Sequence, residues 1–348
     1  MSTADLGGAF SHPARVALID AYFGDQEVQA ATAWMDVYRL LLWADSTTGL
    51  AHCYESDKAQ PGRPWYERTL AFHAWLAERF AVPSLDLAEE LDWMFRQVIK
   101  RVADEEVSKR SKLAERAVEQ LGRYAEPMPV PDDDPELREL IEPLLPRDLA
   151  ARPDDDTVRQ VLRRVRAHIA NENKRKNLLG RGFEDVLAGV IRRLQDPPPK
   201  IGTQTPIQLV DGFRAPREGD KDEKVDLWVG TRSGRRMLVS AKWSVRADRE
   251  KQMVGDFHTY VACNMVREPF EYYWITNEFD PARLVANATR TEGNQRLFNA
   301  VVHVCPEALG VVHRLDEVKP GTTRAQLRDL LVGGRIIGFA DWLKGLDI

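Results

Sequence analysis

Cysteine is scarce in this chain: Cys53, Cys263 and Cys305 are the only three in 348 residues. An odd, widely spaced set excludes a fully paired disulfide framework and offers no Cys-x-x-Cys metal pattern. They read as reduced, buried thiols of a cytoplasmic protein. Long hydrophobic runs are missing too. No stretch approaches the roughly eighteen apolar residues of a membrane span. The opening MSTADLGGAFSH has neither the basic nor the apolar region of a secretory signal. No membrane partner is therefore expected. A surplus of positive charge is also absent, since 49 Lys and Arg face 54 Asp and Glu for a net charge of −5. That balance argues against an indiscriminate nucleic-acid binder.

The even average hides a local pattern. Between 157 and 193 stand Arg159, Arg163, Arg164, Arg166, Lys174, Arg175, Lys176, Arg181, Arg192 and Arg193, opposed only by Glu172, Glu184 and Asp185. Such a segment reads either as a solvated helix face or as a set of phosphate contacts. Charge alone leaves both open.

The apolar spacing divides the chain. Over the first 125 or so residues it follows threes and fours, in EVQAATAWMDVYRLLLWA, WYERTLAFHAWLAERF and LAEELDWMFRQVIKRVADEEVSKRSKLAERAVEQL, so helices are predicted there. Trp34, Trp43, Trp75 and Trp93 fall in the apolar stripes and read as core residues. Pro and Asp punctuate 126–135, which suggests a helical domain over 1–130 and a second domain over 131–348. In the second, a helix is predicted from Leu178 to Leu194, stopped by Pro197, Pro198 and Pro199. Strands are predicted at 206–214, 224–230 and 236–242, the last two joined by a Gly-containing turn. A helix over 249–264, a strand over 270–276, a helix over 281–290, a strand over 299–305 and a helix over 323–331 follow. This order predicts an α/β (α+β) fold, a mixed sheet flanked by helices.

One segment concentrates the chemistry: KVDLWVGTRSGRRMLVSAKWSVRADREKQMVGDF. Asp226 lies on the first hairpin strand and Lys242 ends the second, with fifteen residues between them. Strand alternation puts Ser240 and Lys242 on one face and Ala241 on the other. Pairing across the turn can bring Asp226 beside Lys242. Glu184, in GRGFEDVLAGVI, sits on the helix that precedes the sheet. Carboxylates that hold a divalent cation, with a lysine near an attacking water, are what phosphodiester hydrolysis requires. Asp211, Asp220 and Asp222 compete with Asp226 for this role but occupy turn-like segments. Arg246, Asp248 and Arg249 read in isolation as a helix start with Asp248 as N-cap. Beside a reactive lysine they read instead as base contacts. Arg reaches guanine O6 and N7 bidentately, and a carboxylate accepts from cytosine N4.

The Glu184, Asp226 and Lys242 order resembles PD-(D/E)XK nucleases. In that pattern a carboxylate stands two residues before the lysine, whereas this chain has Ser240. The Ser-x-Lys variant is similar to the CCGG-recognising branch of type II restriction endonucleases (NgoMIV- and BsaWI-like), in which the displaced carboxylate comes from the following helix. Fourteen residues beyond Lys242 stands Asp256, where the branch usually has Glu, with Glu250 as a weaker substitute. Arg246-Ala247-Asp248-Arg249 resembles the branch's R-x-(D/E)-R reading motif, and Gly180 to Glu184 its first acidic helix. The resemblance spans about residues 174–260. It implies a restriction-endonuclease-like mixed sheet with an added all-helical N-terminal domain, acting as a homodimer on double-stranded DNA with a CCGG core. It further implies Mg²⁺ held by Asp226, Asp256 and Glu184, with Lys242 assisting water and Ser240 lining the site. Arg246, Asp248 and Arg249 would read bases, and Lys174, Arg175, Lys176 and Arg181 would contact phosphates. Cleavage would leave 5′ overhangs and 5′-phosphates. Related nucleases of the same fold, or a decayed DNA-binding relative, share most of these features.

Overall fold

The computed structural model describes residues 11–43, 61–63, 65–101, 178–217, 223–245, 247–266 and 269–347, with 139, 161, 165 and 175 singly. The chain divides into two compact units, Met1–Gln97 with Leu179–Ile348, and Val98–Leu178. In the second unit every described residue is helical.

The first unit opens with helices α1 (His12–Phe23), α2 (Ala33–Leu41), α3 (Tyr66–Phe80) and α4 (Leu87–Glu90); helix α5 (residues 93–101) runs from it past the boundary at Gln97, and helix α6 (residues 178–191) re-enters it at Leu179. The Ser11 hydroxyl caps α1 by accepting from the Ala14 N–H at 3.3 Å, and Pro13 opens its first turn. Gly24 ends it with φ 53°. Two helical expectations are corrected. Residues 27–32 are not helical, because the Val28 N–H donates to the Arg193 carbonyl at 2.8 Å in a parallel bridge with Leu194. The run starting at Leu87 also breaks, because Asp92 turns left-handed at φ 56° between α4 and α5.

Eight strands and five more helices complete the unit: β1 (Lys200–Pro206), β2 (Lys224–Gly230), β3 (Arg236–Ala241), α7 (Ala247–Cys263), β4 (Glu271–Thr276) and α8 (Pro281–Thr289), then the small hairpin β5 (Thr291–Glu292) and β6 (Gln295–Arg296). After it come β7 (Ala300–His303), α9 (Pro306–His313), α10 (Thr323–Val332), β8 (Ile336–Gly338) and α11 (Phe339–Lys344). The main sheet has the order β1-β2-β3-β4-β7-β8. Its first three strands pair antiparallel and its last three join in parallel, so it is a mixed sheet flanked by helices, as expected.

The strand expected at 206–214 is displaced to Lys200–Pro206. Its apolar residues follow a different period: Ile207, Val210 and Phe213 are buried at three-residue spacing while Leu209 is exposed. That is the period of a 3₁₀ turn, which residues 207–209 form. Strand β3 is buried along its whole length, as a central strand covered on both faces must be. Gly234, at φ 86°, supplies the turn of the β2–β3 hairpin.

The N-terminal helices pack against the elements that follow the sheet. Tyr38 Oη donates to Asn277 Oδ1 at 2.7 Å, and Phe72 meets the Phe279 ring edge to face at 5.3 Å. Asp185 on α6 is buried between Arg15 (2.6 Å) and His12 (2.9 Å) of α1. Trp228 and Trp243 are buried packing residues. Trp34 and Trp75 are half-buried and stack on each other at 5.7 Å. Cys263 and Cys305 are buried, and Cys53 lies outside the described residues. Among the described residues, no helix is long and apolar enough to cross a membrane.

Candidate active site

The register of the first three strands assembles the site. Opposite residues in an antiparallel pair share a face. The pairs Thr203↔Leu227 and Thr205↔Val225 place Gln204 opposite Asp226. The pair Leu227↔Val239 places Ser240 one step further, on the other flank of Asp226. A row of Gln204, Asp226 and Ser240 therefore crosses β1, β2 and β3, with Lys242 just beyond the end of β3.

The row closes on Asp226. Its Oδ2 accepts from Lys242 Nζ at 2.6 Å, from the Ala241 N–H at 3.0 Å and from Ser240 Oγ at 3.4 Å. Ser240 is thus a donor to Asp226. The Lys242 N–H is tied to the Ile275 carbonyl at 3.0 Å, which fixes the lysine at the tip of β3. Burial lowers the Lys242 ammonium, but Asp226, Glu184 and Asp256 outweigh it and hold it above the usual lysine range.

Two further acids face this pair. Glu184 on α6 is buried; burial, then the Asp226 charge, push its carboxyl up to about 8. Asp256 on α7 is buried as well; burial, then Glu223, then Asp226, raise it to about 7. Glu184, Asp226, Ser240, Lys242 and Asp256 therefore lie together. The side chains of Tyr260 and Tyr272 back the cluster, and burial beside these acids keeps both phenols protonated.

Two residues join the site that the spacing did not indicate. Gln204 Nε2 donates to Glu184 Oε2 at 2.7 Å and to Asp226 Oδ1 at 3.4 Å. Its backbone is left-handed at φ 48°, unusual for a residue other than glycine. Glu223, just before β2, faces Asp256, and its charge is the second cause that raises the Asp256 carboxyl, after burial. A register-based reading would have found Gln204 had β1 been placed correctly. Glu223 was hidden in what read as a turn.

Other candidates fall elsewhere. Asp211 is exposed and paired with Lys200. Asp220, Asp222, Lys174, Lys176 and Arg246 lie outside the described residues. Asp248 and Arg249 are in the first turn of α7, but their side chains, like that of Glu250, are outside the description. Arg181 is exposed in the first turns of α6, three residues before Glu184, and Arg175 is helical and half-buried.

Known proteins add little. No protein-family model matches the chain. No curated protein matches its sequence. Among solved structures it is similar to metal-depleted Ecl18kI in complex with uncleaved, modified DNA, at 14% identity and a TM-score of 0.33, covering 95% of this chain and 82% of that one. A likeness of that degree carries no functional argument.

The donor set suits a hard cation. All its ligating atoms are oxygens, and burial together with mutual repulsion leaves the acids short of positive charge. Among the described residues, no three His, Cys, Asp or Glu side chains converge closely enough to enclose an ion by themselves. A cation here would take one or two carboxylates and complete its shell with water and substrate oxygens.

Proposed function

We propose that the chain is a Mg²⁺-dependent endonuclease that hydrolyses double-stranded DNA as a homodimer. The observation that carries this reading is the 2.6 Å contact between Lys242 and Asp226 at the tip of a strand, with Glu184 and Asp256 facing it. Mg²⁺ bound by Asp226 with Glu184 or Asp256 supplies Lewis-acid neutralisation of the charge that develops on the scissile phosphate. The ammonium of Lys242 sits beside Asp226, where it orients the attacking water and stabilises the negative charge of the transition state. The Ala241 N–H and Ser240 hydroxyl fix the rotamer of Asp226. Each inward-facing group is thus held by another before substrate arrives.

The reading extends to specificity. Arg246, Asp248 and Arg249 follow Lys242 in the sequence by four to seven residues, and Asp248 and Arg249 stand in the first turn of α7, the helix that also carries Asp256. One element thereby links the reading of bases to the cutting of the backbone. In a two-fold dimer the cluster would read a palindromic CCGG core, each bidentate contact discriminating by about 1–3 kcal/mol. Lys174, Arg175, Lys176 and Arg181 would supply phosphate contacts. Cleavage would leave 5′ overhangs ending in 5′-phosphate.

Digestion of a mixed-sequence plasmid with Mg²⁺, followed by sequencing of the ends, tests this reading. Ends clustered at CCGG-containing sites support it; ends scattered over all sequences remove the specificity. Arg249→Ala should weaken discrimination at the core more than it changes the salt dependence of binding. A uniform affinity loss across sequences would make Arg249 a phosphate contact. A second reading, a DNA-binding protein that has lost catalysis, is favoured by one observation: Ser240 occupies a carboxylate position and donates to Asp226. Sequence-specific gel shifts without cleavage in either Mg²⁺ or Mn²⁺ would decide for it.

A further inference from the structure

We propose that Gln204 is a positioning residue for the divalent-cation site, its carboxamide setting the separation and orientation of the Glu184 and Asp226 carboxylates. The inference rests on the nuclease reading and adds a residue to it from a strand outside the β2–β3 hairpin.

The carboxamide nitrogen carries two N–H donors, and both have acceptors here: Glu184 Oε2 at 2.7 Å and Asp226 Oδ1 at 3.4 Å. These oxygens belong to different elements, α6 and β2, so the amide is the link between them. Its chemistry suits the task. A lysine at this place would hold the same two carboxylates but compete with the cation for their charge. A third carboxylate would add to the repulsion that already raises Glu184. A neutral amide bridges them and leaves their remaining lone pairs available. Asp226 Oδ2 is meanwhile occupied by Lys242, Ala241 and Ser240, so Gln204 acts on the other oxygen of the same carboxylate.

The backbone supports this reading independently. The β1–β2 ladder is regular at Thr203 and again at Thr205, and only Gln204 between them turns left-handed, at φ 48°. Glycine is the ordinary occupant of such a conformation. Non-glycine outliers persist where the surroundings over-determine them, and they cluster at active sites. Here the surroundings include the two acids that the side chain holds.

Calorimetric titration of the full chain with Mg²⁺ tests the assignment, using wild type, Gln204→Ala, Gln204→Gly and Asp226→Asn. Partners of ligating groups typically contribute about 10–100-fold to metal affinity. Both Gln204 variants should therefore bind Mg²⁺ about that much more weakly. The Mg²⁺ concentration for half-maximal cleavage should rise by a similar factor, with the plateau rate largely recovered at high Mg²⁺. Gln204→Gly relieves the backbone and should melt at or above the wild-type temperature, so the affinity loss is separable from misfolding even if the alanine variant does not fold. Unchanged Mg²⁺ affinity in a folded Gln204 variant overturns the proposal. Asp226→Asn distinguishes the two levels: if it binds Mg²⁺ as wild type does, the cation site itself is misassigned and the nuclease reading falls with it.

Discussion

Lys242 keeps its charge although burial opposes it, because three acids face it from β2, α6 and α7. That balance makes the site sensitive to single substitutions. Lys242→Ala should lower cleavage by about 10²–10³-fold, the usual cost of losing one preorganised electrostatic partner, while specific DNA binding in a gel shift persists. Glu184 shows the converse, a group placed against its own stability. Its carboxyl keeps its proton to about pH 8 when folded but releases it near 4.5 when unfolded. Between those values the folded state binds the extra proton, so this group's contribution to stability falls as pH rises through that window. Glu184→Gln removes the penalty. The variant should be more stable than wild type at pH 9 in metal-free denaturant unfolding, by on the order of a few kcal/mol, with the difference vanishing towards pH 5. Equal stability at pH 9 would show that Glu184 is well solvated. Asp226, Ser240 and Lys242 were legible in the sequence, because strand alternation and pairing across the hairpin turn locate them, whereas Asp256 was reached only through the family resemblance. Gln204 and Glu223 were not. Their roles depend on which residue lies across a strand pair or against a neighbouring helix, and no local pattern carries that information.

At the level of elements, the segment that follows Lys242 is held by a buried loop. Glu278 is fully buried and accepts from the Val245 N–H at 3.0 Å, the Asp280 N–H at 2.9 Å and Arg283 at 3.3 Å. Thr276 Oγ1 and the Asn277 N–H both donate to the Trp243 carbonyl, at 3.2 and 2.9 Å. Residues 242–245 are therefore held by the end of β4 and the two residues after it. Glu278→Ala would remove the acceptor shared by the Val245 and Asp280 N–H groups and the half-buried Arg283 guanidinium. It should cost about 1–3 kcal/mol of stability, read as a lower denaturant midpoint; no measurable loss would mean the loop tolerates water. The β2–β3 hairpin, α7, β4, α8 and α10 were legible because each has a clean period or a capping signal, such as Asp280 before Pro281 in α8. The strands and helices of few residues were not: β8 has three residues and α11 six, too short for any period to show. The misplaced β1 has the same origin. Its residues are half-exposed along an edge and lack the apolar alternation that marks an inner strand.

Across the whole molecule, two buried histidines tie stability to pH. In His303, Nε2 bonds the Glu278 carbonyl at 3.1 Å and Nδ1 accepts from the Cys305 N–H at 3.1 Å, a pairing that only neutral imidazole can make. His313 Nε2 bonds the Phe279 carbonyl at 2.8 Å. Burial lowers both to about 4. Unfolded histidine gains its proton near 6.5, so the unfolded chain binds more protons between about 6.5 and 4, and stability is lost as pH falls through that range. Each contributes about 3 kcal/mol to that loss. Denaturant midpoints measured from pH 7 to 4 should fall steeply, and less so in His303→Gln; a flat profile would show that the imidazoles are hydrated. The two histidines bond the carbonyls of Glu278 and Phe279, so acid should loosen the same loop that holds the segment after Lys242. The mixed sheet with its helical flanks was legible from the order of elements. The joining of the N-terminal helices to that sheet in one compact unit was not, since contacts such as Tyr38 with Asn277 link residues more than two hundred positions apart.

The most direct test of the central claim, that Asp226 and Lys242 form a phosphodiester-cleaving centre, is linearisation of supercoiled plasmid by the purified chain in Mg²⁺. Wild type should linearise the DNA, chelation of Mg²⁺ should stop it, and Asp226→Ala and Lys242→Ala should each bind the DNA without cutting it. Cleavage by the lysine variant at near wild-type rate would contradict the claim.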